Sequence, residues 1–253
     1  MKHYERLLEM GCFTRDELCA LTENYGSAGT LLNNYLKKGY VQQVKRNLYV
    51  TMNLADRQPI VSKYQIASRI TKSAYVSHHA AFEYYGCANQ VSYQVEVSSD
   101  TPFTTFVFDG LTYMYIASRI KDGIITRSDG VRVTDMERTV IDGIHDFEKA
   151  AGLEELLRCI ELVPSMREDK LLAYLASYGK QVLYQKTGYI LQHFKGALNL
   201  SDAFFAECAA HVGKSTRYLT GNGEGSYSSE WRLVAPTDLS KITDKGIRFD
   251  ADI

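Results

Sequence analysis

The stretch Ser27 to Val50, SAGTLLNNYLKKGYVQQVKRNLYV, constrains this chain more than any other. Apolar residues at Ala28, Leu31, Leu32, Tyr35 and Leu36 follow the spacing of one buried helical face. The opposite face carries Thr30, Asn33, Asn34 and Lys37, all hydrogen-bonding side chains. Gly39 follows two lysines. Glycine accepts the left-handed backbone that ends helices, and the cations suit the negative end of the helix dipole. Tyr40 to Lys45 and Asn47 to Thr51 then predict two strands around a tight turn at Arg46-Asn47, because Asn tolerates positive φ. The turn is expected to show Lys45 and Arg46 to solvent.

The residues upstream extend the pattern. Residues 3–10 predict a short amphipathic helix that Gly11 breaks. Thr14 and Glu17 have capping-box spacing, and Phe13 can staple onto Leu18, so a second helix is expected to run to about Thr22. Three helices and a basic hairpin in this order match a winged helix-turn-helix, whose second motif helix enters the DNA major groove. Asn33 and Asn34 can pair with adenine edges, and Lys37 can reach guanine or phosphate. Thr30 shares that face. Ser27, at the expected helix N-terminus, can bind phosphate, while Lys45, Arg46 and Asn47 would touch backbone or minor groove. Taken singly, these residues better suit a solvated face and an ordinary charged turn. The ordered combination favours DNA.

Charge is divided along the chain. Residues 1–73 hold eleven Lys/Arg against six Asp/Glu, whereas 74–253 hold eighteen against twenty-four. A basic head on an acidic body suits a nucleic-acid-facing module, although the net charge of −1 excludes a polyelectrolyte binder. The five cysteines, Cys12, Cys19, Cys87, Cys159 and Cys208, are odd in number and lack a CxxC pair. They read as reduced thiols in a cytoplasmic protein, not as a disulfide frame or zinc site. No signal peptide and no apolar run long enough to span a bilayer is evident, so no membrane association is expected.

The expected fold class is α+β. A winged helix-turn-helix over 1–52 is followed by a linker and connecting helix over 53–73. A larger, mixed α+β but mostly helical domain then covers 74–253. Helix is expected from Ser62 to Lys72 and from His78 to Tyr85. Strands are expected over 91–98, 103–108, 111–117 and 130–134, with Asp109-Gly110 as a two-residue hairpin turn. Thr134 and Glu137 suggest a capping box opening a helix to His145. Further helices are expected over 152–162, 168–178, 181–194 and 201–210. The Gly/Ser-rich segment 221–229 reads as a flexible tail, with a strand at 231–234.

In sequence the chain resembles the AbiEi family of antitoxins of type IV toxin–antitoxin systems. The resemblance rests on the stretch from Phe13-Thr14 through LLNNYLKKGYVQQVKRNLYV, on AYVSHHAAFEYYG (74–86), on VTDMERTVIDGI (133–144) with GLEELLRCI (152–160), on QKTGYIL (185–191) and on YSSEWRLVAPTDL (227–239). Asn47 stands where the family's wing turn more often has Gly. The resemblance implies a DNA-binding repressor that recognises inverted repeats in its own promoter, in an abortive-infection system. It also implies a C-terminal domain that supports DNA binding and opposes a nucleotidyltransferase-like toxin without a stable complex. Two copies on an inverted repeat would place half-sites about 10 or 21 bp apart. The alternative is a protein-interaction module in which the same head docks a toxin or other partner.

No catalytic or cofactor site is expected. His78 and His79 are adjacent on a helix and point about 100° apart, which does not suit one ion. Asp135, Glu137 and Asp142 are explained by capping and by pairing with Arg138. Metal-dependent nucleases need clustered carboxylates, often with a nearby lysine, and Glu96 is followed two residues later by Ser98. Gly221-Asn222-Gly223-Glu224-Gly225 lacks the Lys-Ser/Thr of a phosphate-binding loop.

Overall fold

The computed structural model describes residues 3–149, 151–221, 223 and 225–244. The chain opens with α1 (Tyr4–Met10), β1 (Cys12–Phe13), α2 (Arg15–Thr22), α3 (Tyr25–Lys38), β2 (Val41–Lys45) and β3 (Leu48–Thr51). Next come α4 (Lys63–Ala67), β4 (Tyr75–Val76), α5 (His78–Tyr84), β5 (Gln94–Ser99), β6 (Phe106–Phe108), β7 (Leu111–Ala117), β8 (Ile124–Thr126) and β9 (Arg132–Thr134). The remainder holds α6 (Met136–His145), a 3-10 turn (Phe147–Lys149), α7 (Gly152–Glu161), α8 (Glu168–Tyr178), α9 (Gln181–His193) and α10 (Asp202–Ala210). It ends with β10 (Arg217–Tyr218), β11 (Ser226–Ser228), β12 (Leu233–Ala235) and α11 (Ser240–Asp244). The class is mixed α+β, with eleven α-helices and three sheets among the described residues.

Two compact units share the chain, and neither is contiguous. The first comprises Met1–Val76, Tyr93–Ser118 and Thr126–Val133; the second comprises Ser77–Ser92, Arg119–Ile125 and Thr134–Ile253. Most of the sheet that follows the linker in sequence therefore belongs to the same unit as the N-terminal helices.

In the first unit, α1, α2 and α3 share a core with a three-stranded sheet ordered β1-β3-β2. Phe13, Leu18, Ala28, Leu32, Tyr35, Val41 and Tyr49 pack together in it. The Tyr4 hydroxyl donates to the Met52 carbonyl at 2.7 Å, and its ring packs on Tyr35 and Tyr40. The Thr14–Glu17 capping box forms as its spacing predicts. Glu17 also accepts Arg69 at 2.5 Å. Burial pushes the Glu17 carboxyl up, but bonds from Arg69 and Thr14 outweigh it and hold the group below its usual range.

A six-stranded sheet, ordered β6-β7-β5-β4-β9-β8, contributes most of its strands to this unit. β5 and β7 run parallel from Gln94↔Thr112 to Ser99↔Ala117, while β6 and β7 form an antiparallel hairpin. Its turn is Asp109-Gly110 with φ of 51° and 74°, the positive values a tight hairpin turn requires.

The second unit is built on a buried polar network between α6 and α8. Asp135 caps α6 by accepting the Arg138 N–H, and its other oxygen accepts Lys170 Nζ at 2.8 Å and the Tyr174 hydroxyl at 2.7 Å. Arg138 is 1% exposed; it donates to Asp142 at 2.6 Å and to the Asp122 carbonyl at 2.6 Å. Asp142 also accepts the Tyr178 hydroxyl. A buried charge is tolerable when paired and hydrogen-bonded in this way. Around the network lies an apolar core that includes Ile141, Ile144, Leu156, Leu171, Leu183 and Trp231.

Trp231 explains the QKTGYIL segment. Its ring lies over Gly188 of α9, its Nε1 donates to Gln192 at 2.7 Å, and Gln185 donates to its carbonyl at 3.0 Å. Glycine inside a helix costs about 1 kcal/mol; here it admits an indole that any Cβ would strike.

Several expectations are corrected. Helices hold less than half of the described chain, so the body is not mostly helical. Short strands at 124–126, 217–218 and 226–228 take part in sheets unannounced, because two- or three-residue strands leave little alternating pattern to read, whereas Tyr75-Val76 and the 130–134 segment do form the short strands their residues suggest. The helix expected over 62–72 ends at Ala67. Asp135, not Thr134, caps α6, because its carboxylate reaches the Arg138 N–H while Thr134 bonds Thr139. The segment read as a flexible tail contains β11, which pairs antiparallel with β12. Asn222 and Glu224 in it lie outside the described residues.

Gly188→Ala is expected to destabilise the protein by about 1–3 kcal/mol or more, because the new Cβ would sit 2.0 Å from the Trp231 ring. Urea denaturation measures the loss.

Candidate nucleic-acid interface

α3 positions the polar stripe. Ala28, Leu32 and Tyr35 are buried, which turns Ser27, Thr30, Asn33, Asn34 and Lys37 outward, all of them exposed. Ser27, Thr30 and Asn34 line an open cleft of about 600 Å³ with Thr22, Asn24 and Leu31. At the far end, the Gly39 N–H bonds back to α3 carbonyls, and the Arg57 guanidinium donates to the Lys38 and Gly39 carbonyls.

The start of α3 differs from the sequence expectation. The helix begins at Tyr25, not Ala28, and Asn24 accepts the N–H groups of Gly26 at 2.8 Å and Ser27 at 3.1 Å. The Ser27 N–H is therefore already satisfied, and its expected role at a helix N-terminus is corrected to a side chain inside the first turn. Gly26 and Gly29 hide the true start, since both are poor helix formers. Tyr25, at 66% exposure, thereby joins the helix surface, although the apolar period gives no sign of it.

The hairpin also departs from a freely exposed basic tip. β2 carries a register shift between Gln43 and Lys45. Ahead of this bulge Gln42 and Gln43 are both exposed while Val44 is buried, which adds two amide side chains that no alternation rule singles out. Arg46 is exposed. Lys45 is half-buried, with its ammonium 5.3 Å from the Phe103 ring centroid and 5.9 Å from that of Phe106. Burial lowers its pKa, and the two rings stabilise the cation. The expectation that Lys45 faces solvent is corrected: Phe103, just before β6, and Phe106 within it hold the side chain. Asn47 has φ of 63°, as its turn position requires, and its side chain accepts the Arg15 N–H at 3.1 Å. It thus ties the hairpin to the first turn of α2.

The other candidate groups have structural partners. Asp135, Glu137 and Asp142 are all engaged within the α6–α8 network, Glu137 through Lys170 and the Arg167 N–H. His78 bonds Ser77, and His79 bonds Glu155. His145 stacks on Tyr178 with its Nε2 2.8 Å from Lys180 Nζ; burial, then Lys180, lowers its pKa to about 4.

No protein-family model matches the chain, and no curated protein matches it. Among solved structures it is similar to the RV2827C protein from Mycobacterium tuberculosis, with a TM-score of 0.63 and 14% identity over 92% of this chain and 89% of that one. At that identity the likeness is one of fold. No described helix is long and apolar enough to cross a membrane.

The His145 shift gives a pH dependence. Its folded pKa of about 4 lies below the ordinary 6.5, so only the unfolded chain takes up the proton between those values. Its contribution is intact above about pH 6.5 and is lost as pH falls towards 4. Thermal melts of the wild type are expected to fall more steeply across this window than those of His145→Gln.

Proposed function

We propose that the N-terminal segment of the first unit is a winged helix that binds double-stranded DNA, with α3 in the major groove. The observation that carries this reading is the outward polar stripe Thr30, Asn33, Asn34 and Lys37 on a helix followed at once by the Arg46 turn. The element order α1–β1–α2–α3–β2–β3, with a sheet ordered β1-β3-β2, supports it. The stripe presents amides, a hydroxyl and a cation, which match base edges and phosphates better than a protein partner's apolar surface.

The mechanism is groove binding without catalysis. Asn33 and Asn34 pair with bases, Thr30 and Lys37 contact bases or adjacent phosphates, and Arg46 reaches the backbone beside the groove. Asn47 acts mainly through the hairpin geometry it fixes. The resemblance in sequence to the AbiEi antitoxins extends the proposal. On that basis the protein represses its own promoter at an inverted repeat as the antitoxin of a type IV system in the cytoplasm. The paired toxin is a nucleotidyltransferase-like enzyme held in check without a stable complex.

Replacing Asn33 and Asn34 with Ala is expected to cost about 1–3 kcal/mol of operator preference per lost bidentate pair. The circular dichroism spectrum should be unchanged. Gel-shift titration against operator and scrambled DNA tests this, and unchanged preference would remove α3 as the reader. In a salt titration, Arg46→Ala is expected to reduce the log–log slope by about 0.9, one phosphate contact, and Lys45→Ala by less.

A further inference from the structure

We propose that the second unit binds a divalent transition-metal ion, zinc by its donor chemistry, through His79, Glu155 and Cys159. His79 lies in the first turn of α5. Glu155 and Cys159 are four residues apart on α7, so they share a helix face. The three residues are 2%, 4% and 0% exposed. His79 Nε2 lies 3.1 Å and Cys159 Sγ 3.6 Å from Glu155 Oε1, and all three donor atoms lie within 4.8 Å of one another. Tetrahedral zinc, with bonds near 2.0–2.3 Å, sets neighbouring donors about 3.3–3.7 Å apart. Small side-chain shifts would bring these atoms onto that geometry.

Charge and hydrogen bonding point the same way. One thiolate and one carboxylate balance a 2+ ion beside a neutral imidazole, which leaves no net charge in the core. Nitrogen, oxygen and sulfur together are a zinc-type donor set. As a purely hydrogen-bonded trio, the cluster leaves Glu155 Oε2 buried with no partner among the described residues. Buried polar atoms are seldom left so. Bidentate binding by Glu155 would engage Oε2, with a water as the fourth ligand. The Asn89 and Gln90 N–H groups, both 3.2 Å from Oε1, orient the carboxylate as outer partners of metal ligands do. The ion would join α5, α7 and the 89–90 segment, a structural role independent of DNA binding.

The test uses the full chain. Protein purified from zinc-supplemented medium is dialysed and its metal content measured by mass spectrometry. Chelator-stripped protein is then titrated with Co²⁺ and read by absorption. The expected results are about one zinc per chain, a thiolate-to-cobalt charge-transfer band and a lower Tm in chelator. Cys159→Ser should abolish the band, and the near-isosteric Glu155→Gln should keep it while weakening Co²⁺ affinity about tenfold or more. Folded wild-type protein without zinc and without the cobalt band would overturn the proposal, whether or not the variants fold. A band that persists in folded Cys159→Ser would overturn it as well.

Discussion

The burial of one face of α3 is the constraint on which the proposed interface depends. Ala28, Leu32 and Tyr35 pack with Phe13, Leu18 and Tyr49 in the core that the three helices share with the β1-β3-β2 sheet. A helix with that side fixed must show the opposite side, so one set of apolar contacts orients Thr30, Asn33, Asn34 and Lys37 together. Asn24 at one end and Gly39 with Arg57 at the other satisfy the helix termini. The stripe is therefore held by groups that are not part of it. A rigid helix with outward amides suits sequence reading, since base contacts require fixed side-chain origins.

Much of this was legible in the chain. The apolar period of α3, the Thr14–Glu17 capping box, the Gly39 stop and the Asp109-Gly110 turn each declare themselves through local chemistry, and each forms. Where tertiary contacts decide, local reading falls short. Nothing near Lys45 in sequence signals Phe103 and Phe106, which turn a tip lysine into a half-buried one. The bulge between Gln43 and Lys45 breaks the strand period. The start of α3 was hidden by two glycines that packing and the Asn24 cap override. β1 is two residues long and exists because Cys12 and Phe13 find Val50 and Tyr49 across the sheet.

The second unit shows how recognisable sequence blocks can be structural. VTDMERTVIDGI supplies Asp135, Arg138 and Asp142, whose charges are consumed by Lys170, Tyr174, Tyr178 and backbone carbonyls. QKTGYIL supplies the seat for Trp231. Carboxylates spaced along a helix invite a catalytic reading, but each here is engaged by fixed partners. The His79–Glu155–Cys159 cluster has the opposite character. Its His79 and Glu155 lie 76 positions apart, which no motif search would pair, and its polar atoms are incompletely satisfied.

Hydrogen–deuterium exchange of the full chain, with and without the DNA upstream of its own gene, tests the central claim most directly. The proposal predicts saturable binding with slowed exchange concentrated in α3 and the β2–β3 turn, and little change there with scrambled DNA at matched salt. No saturable binding, or protection that leaves residues 25–47 untouched, would contradict it.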